Sequence, residues 1–209
     1  MIVKRYKDKK QYRYRNYDYS QAGYYFVTIC VKDKRQYFGK IENSKMKLSP
    51  IGKIAERFWQ EIPKRFVIAE LDQFVIMPDH LHGIVIINDD GIDRNTDRNT
   101  DRNAPRRVPT PTNPTNPTNP TNPTNPTNPR IPIGIQPLVK NSLSSIINHF
   151  KGNVKRCCNK TGYGFFFWQS RFHDRIVRNE KELHRIREYI INNPLNWELE
   201  KNNKNNLFI

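Results

Sequence analysis

Residues 66–87 read FVIAELDQFVIMPDHLHGIVII. Two runs rich in β-branched and aromatic residues, Phe66–Met77 and His80–Ile87, flank the turn-like Met77-Pro78-Asp79, which predicts two strands joined as a hairpin. Upstream, Tyr24–Val31 (YYFVTICV) reads as another strand. Between them, Leu48–Pro63 has Ile51, Ile54, Ala55, Phe58 and Ile62 at helical spacing, with Ser49-Pro50 as cap and first-turn residue. Downstream, Ser142–Cys158 is an amphipathic helix with Leu143, Ile146, Ile147 and Phe150 on one side, and Arg171–Val177 is a strand. Asn179 then caps a helix, with Glu182 at capping-box spacing, that spans Glu180–Asn192 and stops at Asn192-Asn193-Pro194. The order strand, helix, strand, strand, helix, strand, helix is a split β-α-β pattern. It predicts an α+β, ferredoxin-like sandwich: one antiparallel sheet with helices on one face. Such a fold hosts many unrelated activities, so function must come from the residues it carries.

One segment stands outside this pattern. From Asp93 the chain repeats Asp-Arg-Asn-Thr, and Thr112–Pro129 is six copies of Thr-Asn-Pro. Residues 89–137 hold most of the prolines and almost no apolar bulk, so they cannot bury enough surface to offset their ordering entropy. They are read as a disordered low-complexity insertion. The remaining organisation is a basic, tyrosine-rich arm at 1–20, a single domain formed by 21–88 and 138–198, and a polar tail at 199–209.

Over 209 residues, 36 Lys plus Arg against 20 Asp plus Glu give a formal charge of +16. The insertion is nearly neutral, so the excess belongs to the folded part and the arm. Such an excess points to a polyanion, either nucleic acid or an anionic membrane surface. No apolar run approaches a membrane span, and no basic amphipathic helix with a broad apolar face is present. Met1–Ser20 has no hydrophobic segment of the signal-peptide kind, and Cys30, Cys157 and Cys158 form neither a disulfide framework nor a zinc pattern. A soluble, reduced, cytoplasmic protein is expected. In the arm, seven Lys or Arg alternate with five Tyr. That mixture suits phosphate neutralisation with base stacking, and equally a solvated terminus.

His80 and His82 flank Leu81 on an aliphatic strand, so both imidazoles project from one face and can share a metal while Leu81 points to the core. Ile84 and Val85 stand where H-x-H-x-D-H metallo-hydrolases need Asp and His, and Ile84 also rules out H-x-H-x-H. H-E-x-x-H and Walker-type loops are absent. The pair therefore needs a third ligand from elsewhere, and suits a hard metal completed by phosphate oxygens. Tyr189 lies four residues before Asn193, on one helical face, with Arg185 a turn earlier. A helical tyrosine is either a half-buried packing residue or, beside a metal, a nucleophile toward phosphorus. Trp168-Gln169-Ser170-Arg171-Phe172-His173 fits either a DNA-contacting edge or core plus edge. His149 and His184 read as surface residues, Lys151, Lys155 and Arg156 as a solvated face, and Cys157-Cys158 as inert.

Four blocks in order carry a resemblance: Tyr17-Asp18-Tyr19-Ser20 with Gly23–Cys30; Phe74–Gly83; Trp168-Gln169; and Arg187-Glu188-Tyr189-Ile190-Ile191-Asn192-Asn193-Pro194. In these the chain resembles the single-tyrosine HUH transposases, in which two histidines flank one hydrophobic residue, and within them the REP-associated tyrosine transposases of the insertion sequence 200 group. The resemblance implies that His80 and His82 hold Mg²⁺ or Mn²⁺, with Asn193 as third ligand and Tyr189 as nucleophile. It implies a single-strand DNA transposase that cleaves and rejoins hairpin-bearing DNA through a 5′-phosphotyrosine. DNA contacts are expected from Lys4, Arg5, Arg13, Arg15, Trp168, Arg171 and Arg185. The partner is single-stranded or hairpin DNA in a bacterial-type nucleoid, with no membrane and with homodimerisation open. One departure is Asp79, where relatives often carry Asn, which adds a carboxylate beside the metal. The alternative is a non-catalytic module that grips structured single strands, which would need neither the histidine pair nor the Tyr-x-x-x-Asn spacing.

Overall fold

The computed structural model describes residues 17–89 and 139–205. Residues 1–16, with Lys4, Arg5, Arg13 and Arg15, and residues 90–138, which hold nearly all of the insertion, lie outside the described residues.

Alternation along one strand sets out the whole architecture. In β1 (Gly23–Cys30), Tyr25, Val27 and Ile29 join the larger core, whereas Tyr24 and Phe26 belong to a second, smaller cluster. Successive side chains of a strand leave opposite faces, so the two clusters lie on the two sides of the sheet. Further along the chain come β2 (Gly39–Glu42), β3 (Lys45–Leu48), α1 (Pro50–Gln60), the short α2 (Ile62–Arg65), β4 (Ala69–Ile76), β5 (His80–Ile87), α3 (Leu143–Lys160), β6 (His173–Val177) and α4 (Glu180–Asn205). The main sheet has the order β4-β5-β1-β6, and every neighbouring pair is antiparallel. This is the split β-α-β arrangement: β5 lies between β4 and β1, so the crossover through α1 skips a strand.

The larger core packs α1 and α3 on one face. α1 starts as its sequence dictates, with Ser49 Oγ accepting from Gly52 N–H at 3.1 Å and Pro50 filling a first-turn position whose N–H would have no partner. Its Ile51, Ala55 and Trp59 are buried against Leu143, Ile146, Ile147, Phe150 and Val154 of α3 and the odd-numbered residues of β5. Trp59 crosses β5 at Gly83, where a Cβ would lie 2.4 Å from Cζ2 of the indole. Only glycine permits that approach. The Trp59 indole nitrogen is buried without a hydrogen-bond partner.

The prediction that all helices lie on one face is corrected. α4 covers the opposite face, where Leu183, Ile186 and Ile190 close over Tyr24, Ile84 and Val177. The reason is the composition of the sheet: beyond the two histidines, the even-numbered face of β5 carries Ile84 and Ile86, and an uncovered second face would leave them in water. α4 also does not stop at Pro194 but continues to Asn205. Proline removes one helical hydrogen bond, and tertiary contacts beyond it offset the loss. The Glu198 carboxylate accepts from Ser44 N–H and Oγ–H at 2.8 and 2.7 Å, and Trp197 packs on His80 with ring centroids 5.8 Å apart.

Ser44 belongs to a hairpin that the sequence reading missed. β2 and β3 pair through Asn43-Ser44, both at positive φ (52° and 56°), as a two-residue primed turn requires. A second irregularity serves α4. Between Leu71 and Phe74, β4 bulges, and Asp72 and Gln73 stand where β5 has a single residue. Leu71 and Phe74 thereby stay on the core side while Asp72 meets Arg187 of α4, whose Nη2 and Nε donate to Oδ2 at 2.6 and 3.0 Å.

Candidate active site

His80 and His82 open β5 on the face beneath α4, with ring centroids 4.5 Å apart. Each ring is held at Nδ1. Asp79 Oδ1 lies 2.5 Å from His80 Nδ1, and a carboxylate can only accept, so that nitrogen carries a proton and, in the neutral imidazole, Nε2 offers its lone pair. Thr28 lies opposite His82 in the β1–β5 register, and its Oγ1 is 2.9 Å from His82 Nδ1. Burial, and secondarily the neighbouring His80, push the His82 pKa down to about 3, so this imidazole is neutral. Phe26 stacks on His82 at 5.4 Å with an interplanar angle of 23°, fixing the ring plane from below.

α4 delivers the third group. Its first turn is set by Asn179, whose Oδ1 accepts from Glu182 N–H at 2.9 Å, while Glu182 returns a carboxylate oxygen to Arg178 N–H at 3.0 Å. The expected capping residues are therefore in place, with the reciprocal bond made one residue early. The apolar stripe and the Arg187–Asp72 clamp then fix the rotation of the helix. Tyr189 ends with its hydroxyl 3.3 Å from His82 Nε2 and its ring edge-on to Phe26 at 6.1 Å, although 46% of the residue is exposed. Asn193 is buried one turn further on. His80, His82 and Tyr189 thus share one site, with Asn193 on the same side of the helix.

Other candidates fall elsewhere. Trp168 is turned inward. It packs against Phe38, Phe150 and Phe166, and its indole N–H donates to Lys151 O at 3.1 Å, so its ring is a core element rather than an offered stacking face. Arg171 and Arg185 are exposed. Lys151 and Lys155 are not a solvated face: Lys151 is buried and donates to Gln169 and Ser170 carbonyls at 2.7 and 3.1 Å, and Lys155 to Gly164 and Phe166 carbonyls at 2.8 and 2.7 Å. Sequence reasoning missed Thr28, Phe26 and Trp197. The first two become visible once β1 is paired with β5, since both then share the face of His82.

Two histidines with Nδ1 occupied and Nε2 turned to the side of Tyr189 are the donor set of a metal centre whose ligands are oriented from behind. Among the described residues no three His, Cys, Asp or Glu side chains converge. A metal here would need further oxygen ligands, such as an amide or a substrate phosphate, to complete its shell, and the Asn193 amide has the right chemistry.

No protein-family model matches the chain. A protein of Haemophilus influenzae (strain ATCC 51907 / DSM 11121 / KW20 / Rd), described as uncharacterized, is 32% identical over 190 residues, 91% of this chain and 90% of its own length. The chain belongs to that protein's family. In three dimensions the chain is similar to a REP-associated tyrosine transposase solved in complex with a REP hairpin. The TM-score is 0.51 and the identity 16%, over 88% of this chain and 73% of the other. The fold is therefore that of a REP-associated tyrosine transposase, with the α+β antiparallel sheet the strand pattern predicts. Among the described residues, no helix is long and apolar enough to cross a membrane.

Proposed function

We propose that this chain is a single-strand DNA transposase that cuts and rejoins hairpin-bearing DNA with Tyr189 as nucleophile. The observation that carries the proposal is the 3.3 Å approach of the Tyr189 hydroxyl to Nε2 of His82, beside His80 on the same strand face. A packing tyrosine would be buried among apolar groups; this one is half in water with its oxygen aimed at paired imidazoles. The likeness to a transposase whose solved complex holds a REP hairpin, and the charge of +16, support DNA as the partner.

Nε2 of His80 and of His82, with the Asn193 amide oxygen, would hold a divalent ion, Mg²⁺ or Mn²⁺. Such an ion polarises a phosphoryl oxygen and draws charge from phosphorus. The chain does the rest. Asp79 and Thr28 hold the two rings, and Phe26 and the helix clamp hold the Tyr189 oxygen at the site. Burial keeps His82 neutral, so its Nε2 lone pair is available to a cation instead of repelling it. Tyr189 Oη attacks phosphorus, the phenolic proton passes to water at the exposed edge, and the bond from phosphorus to the 3′-oxygen breaks. The departing oxygen takes up a proton, and the 5′-phosphate stays on the tyrosine. Attack by another 3′-hydroxyl reverses the step and rejoins the strand, conserving the bond energy. Arg171 and Arg185, both exposed, would take DNA phosphates.

The test is incubation of the full chain with labelled, hairpin-bearing single strands and Mg²⁺ or Mn²⁺, resolved under denaturing conditions. A covalent adduct with wild type and none with Tyr189→Phe, at equal hairpin affinity, is expected. Binding with no adduct on any hairpin would leave a binding module in place of an enzyme.

A further inference from the structure

The loop between α3 and β6 places two phenylalanines in water. Burial alternates along it: Phe166 is fully buried, packed against Phe38 and Trp168, while Phe165 and Phe167 are 56% and 50% exposed. The loop is nonetheless pinned. Tyr163 N–H donates to Cys158 O at 2.8 Å, Phe166 N–H to Tyr163 O at 3.0 Å, and Lys32 N–H to Phe167 O at 2.9 Å, in addition to the two carbonyl bonds from Lys155. The exposed rings are thus held on fixed backbone rather than on a frayed turn.

Cations accompany both rings. Lys155 Nζ lies 3.7 Å and Lys32 Nζ 6.0 Å from the Phe167 centroid. Tyr37, whose ring is 5.6 Å from Phe165, accepts from Arg35 at 3.2 Å. Asp33 is the acid in this stretch, among Lys32, Lys34 and Arg35. The patch also adjoins the candidate site. Lys32 binds the Phe167 carbonyl, the preceding Val31 N–H donates to Asp79 O at 2.8 Å, and Asp79 holds His80.

We propose that Phe165 and Phe167 form a stacking platform for bases of single-stranded DNA, with Lys32 and Arg35 receiving its phosphates. The proposal rests on the single-strand reading above. Flat aromatic faces interleaved with cations are what sequence-tolerant single-strand binding requires, since every base has a π-face. A protein-docking face would also use aromatic rings, but within a contiguous apolar centre depleted of charge. Here two rings are separated by a buried residue and bordered by charge. The backbone link through Val31 to Asp79 ties the rings to the segment that holds His80.

The experiment compares full-length wild type, Phe165→Ala/Phe167→Ala and Phe165→Leu/Phe167→Leu on two probes: a blunt hairpin, and the same hairpin with a single-stranded extension containing 2-aminopurine. Wild type should quench the 2-aminopurine by stacking. Both double variants should lose the quenching and bind the extended hairpin at least about tenfold more weakly. Their affinity for the blunt hairpin should be unchanged, which also shows that they are folded. Quenching retained by either double variant overturns the platform, as does a Leu variant that keeps wild-type affinity for the extended probe. A change of oligomeric state in the variants, with quenching intact, would instead make the rings a protein interface. Failure of wild type to bind either probe would overturn the underlying function, an outcome distinct from loss of the platform alone.

Discussion

Thr28 and Asp79 hold the two histidines by the nitrogens that face away from Tyr189 and the free side of the site. Thr28→Val keeps the shape of the side chain and removes the partner of His82 Nδ1. It should lower metal affinity, read by calorimetry, and cleavage by roughly 10–100-fold while leaving hairpin affinity intact. Unchanged metal affinity would make Thr28 a mere packing residue. Lys151 offers a second test at this scale. Burial holds its ammonium down to about 8, from the ordinary 10.5. The folded state therefore binds fewer protons than the unfolded one between these values, so this group's contribution is complete above the unfolded pKa and lost as pH falls through 8. The neutral amine keeps two N–H donors for the carbonyls of Gln169 and Ser170. Denaturant unfolding should show stability gained from pH 7.5 to 9.5 in wild type, and less gain in Lys151→Met. The histidine pair was legible in the sequence because H-x-H on a strand shares a face whatever the strand's partners. Thr28 was not, because its role depends on cross-strand register, and Lys151 was not, because a lysine on an amphipathic helix gives no sign of the carbonyls it caps.

α4 is the element on which the site depends, and three features orient it: the Asn179 cap, the Leu183-Ile186-Ile190 stripe and the Arg187–Asp72 clamp. The clamp is a half-buried bidentate pair, the stronger geometry for such bonds. Arg187→Met should destabilise the fold by about 1–3 kcal/mol in denaturant unfolding, because Asp72 is left without its partner. Cleavage should fall further than stability alone explains, at unchanged hairpin affinity. A stability loss with normal cleavage would mean that the stripe alone sets the helix. The strands of the main sheet and the starts of α1 and α4 could be read locally, from alternation and from caps at Ser49 and Asn179, and α3 from the periodicity of its apolar side. The sheet face that α4 covers could not. An antiparallel strand that carries apolar residues on both faces, as β5 does with Ile84 and Ile86 opposite Leu81, Val85 and Ile87, does not say which helix takes which side. The end of α4 was misread because Pro194 is a local stop signal, and the bonds that override it come from Ser44, 154 positions away in the sequence. The β2–β3 hairpin escaped because Lys40, Lys45 and Lys47 hide its alternation behind charge.

At the scale of the molecule, the main sheet separates a structural face from a chemical one. α1 and α3 fill the first, and the second carries His80, His82 and Tyr189. The insertion that follows β5 is poor in apolar residues and carries little of the net charge, six Arg against five Asp over residues 89–137. Deleting residues 93–130 should alter stability by only about 1 kcal/mol, the loop-closure difference, and leave hairpin affinity as it was. A large loss of affinity would give the repeats a role in binding. The central claim is chemical, that the Tyr189 oxygen becomes bonded to DNA phosphorus. Its most direct test is mass spectrometry of the protein–DNA adduct after nuclease and trypsin digestion. The account predicts a nucleotide phosphate on Tyr189, within the tryptic peptide Glu188–Lys201. The same mass on any other residue, or its persistence in Tyr189→Phe, would contradict it.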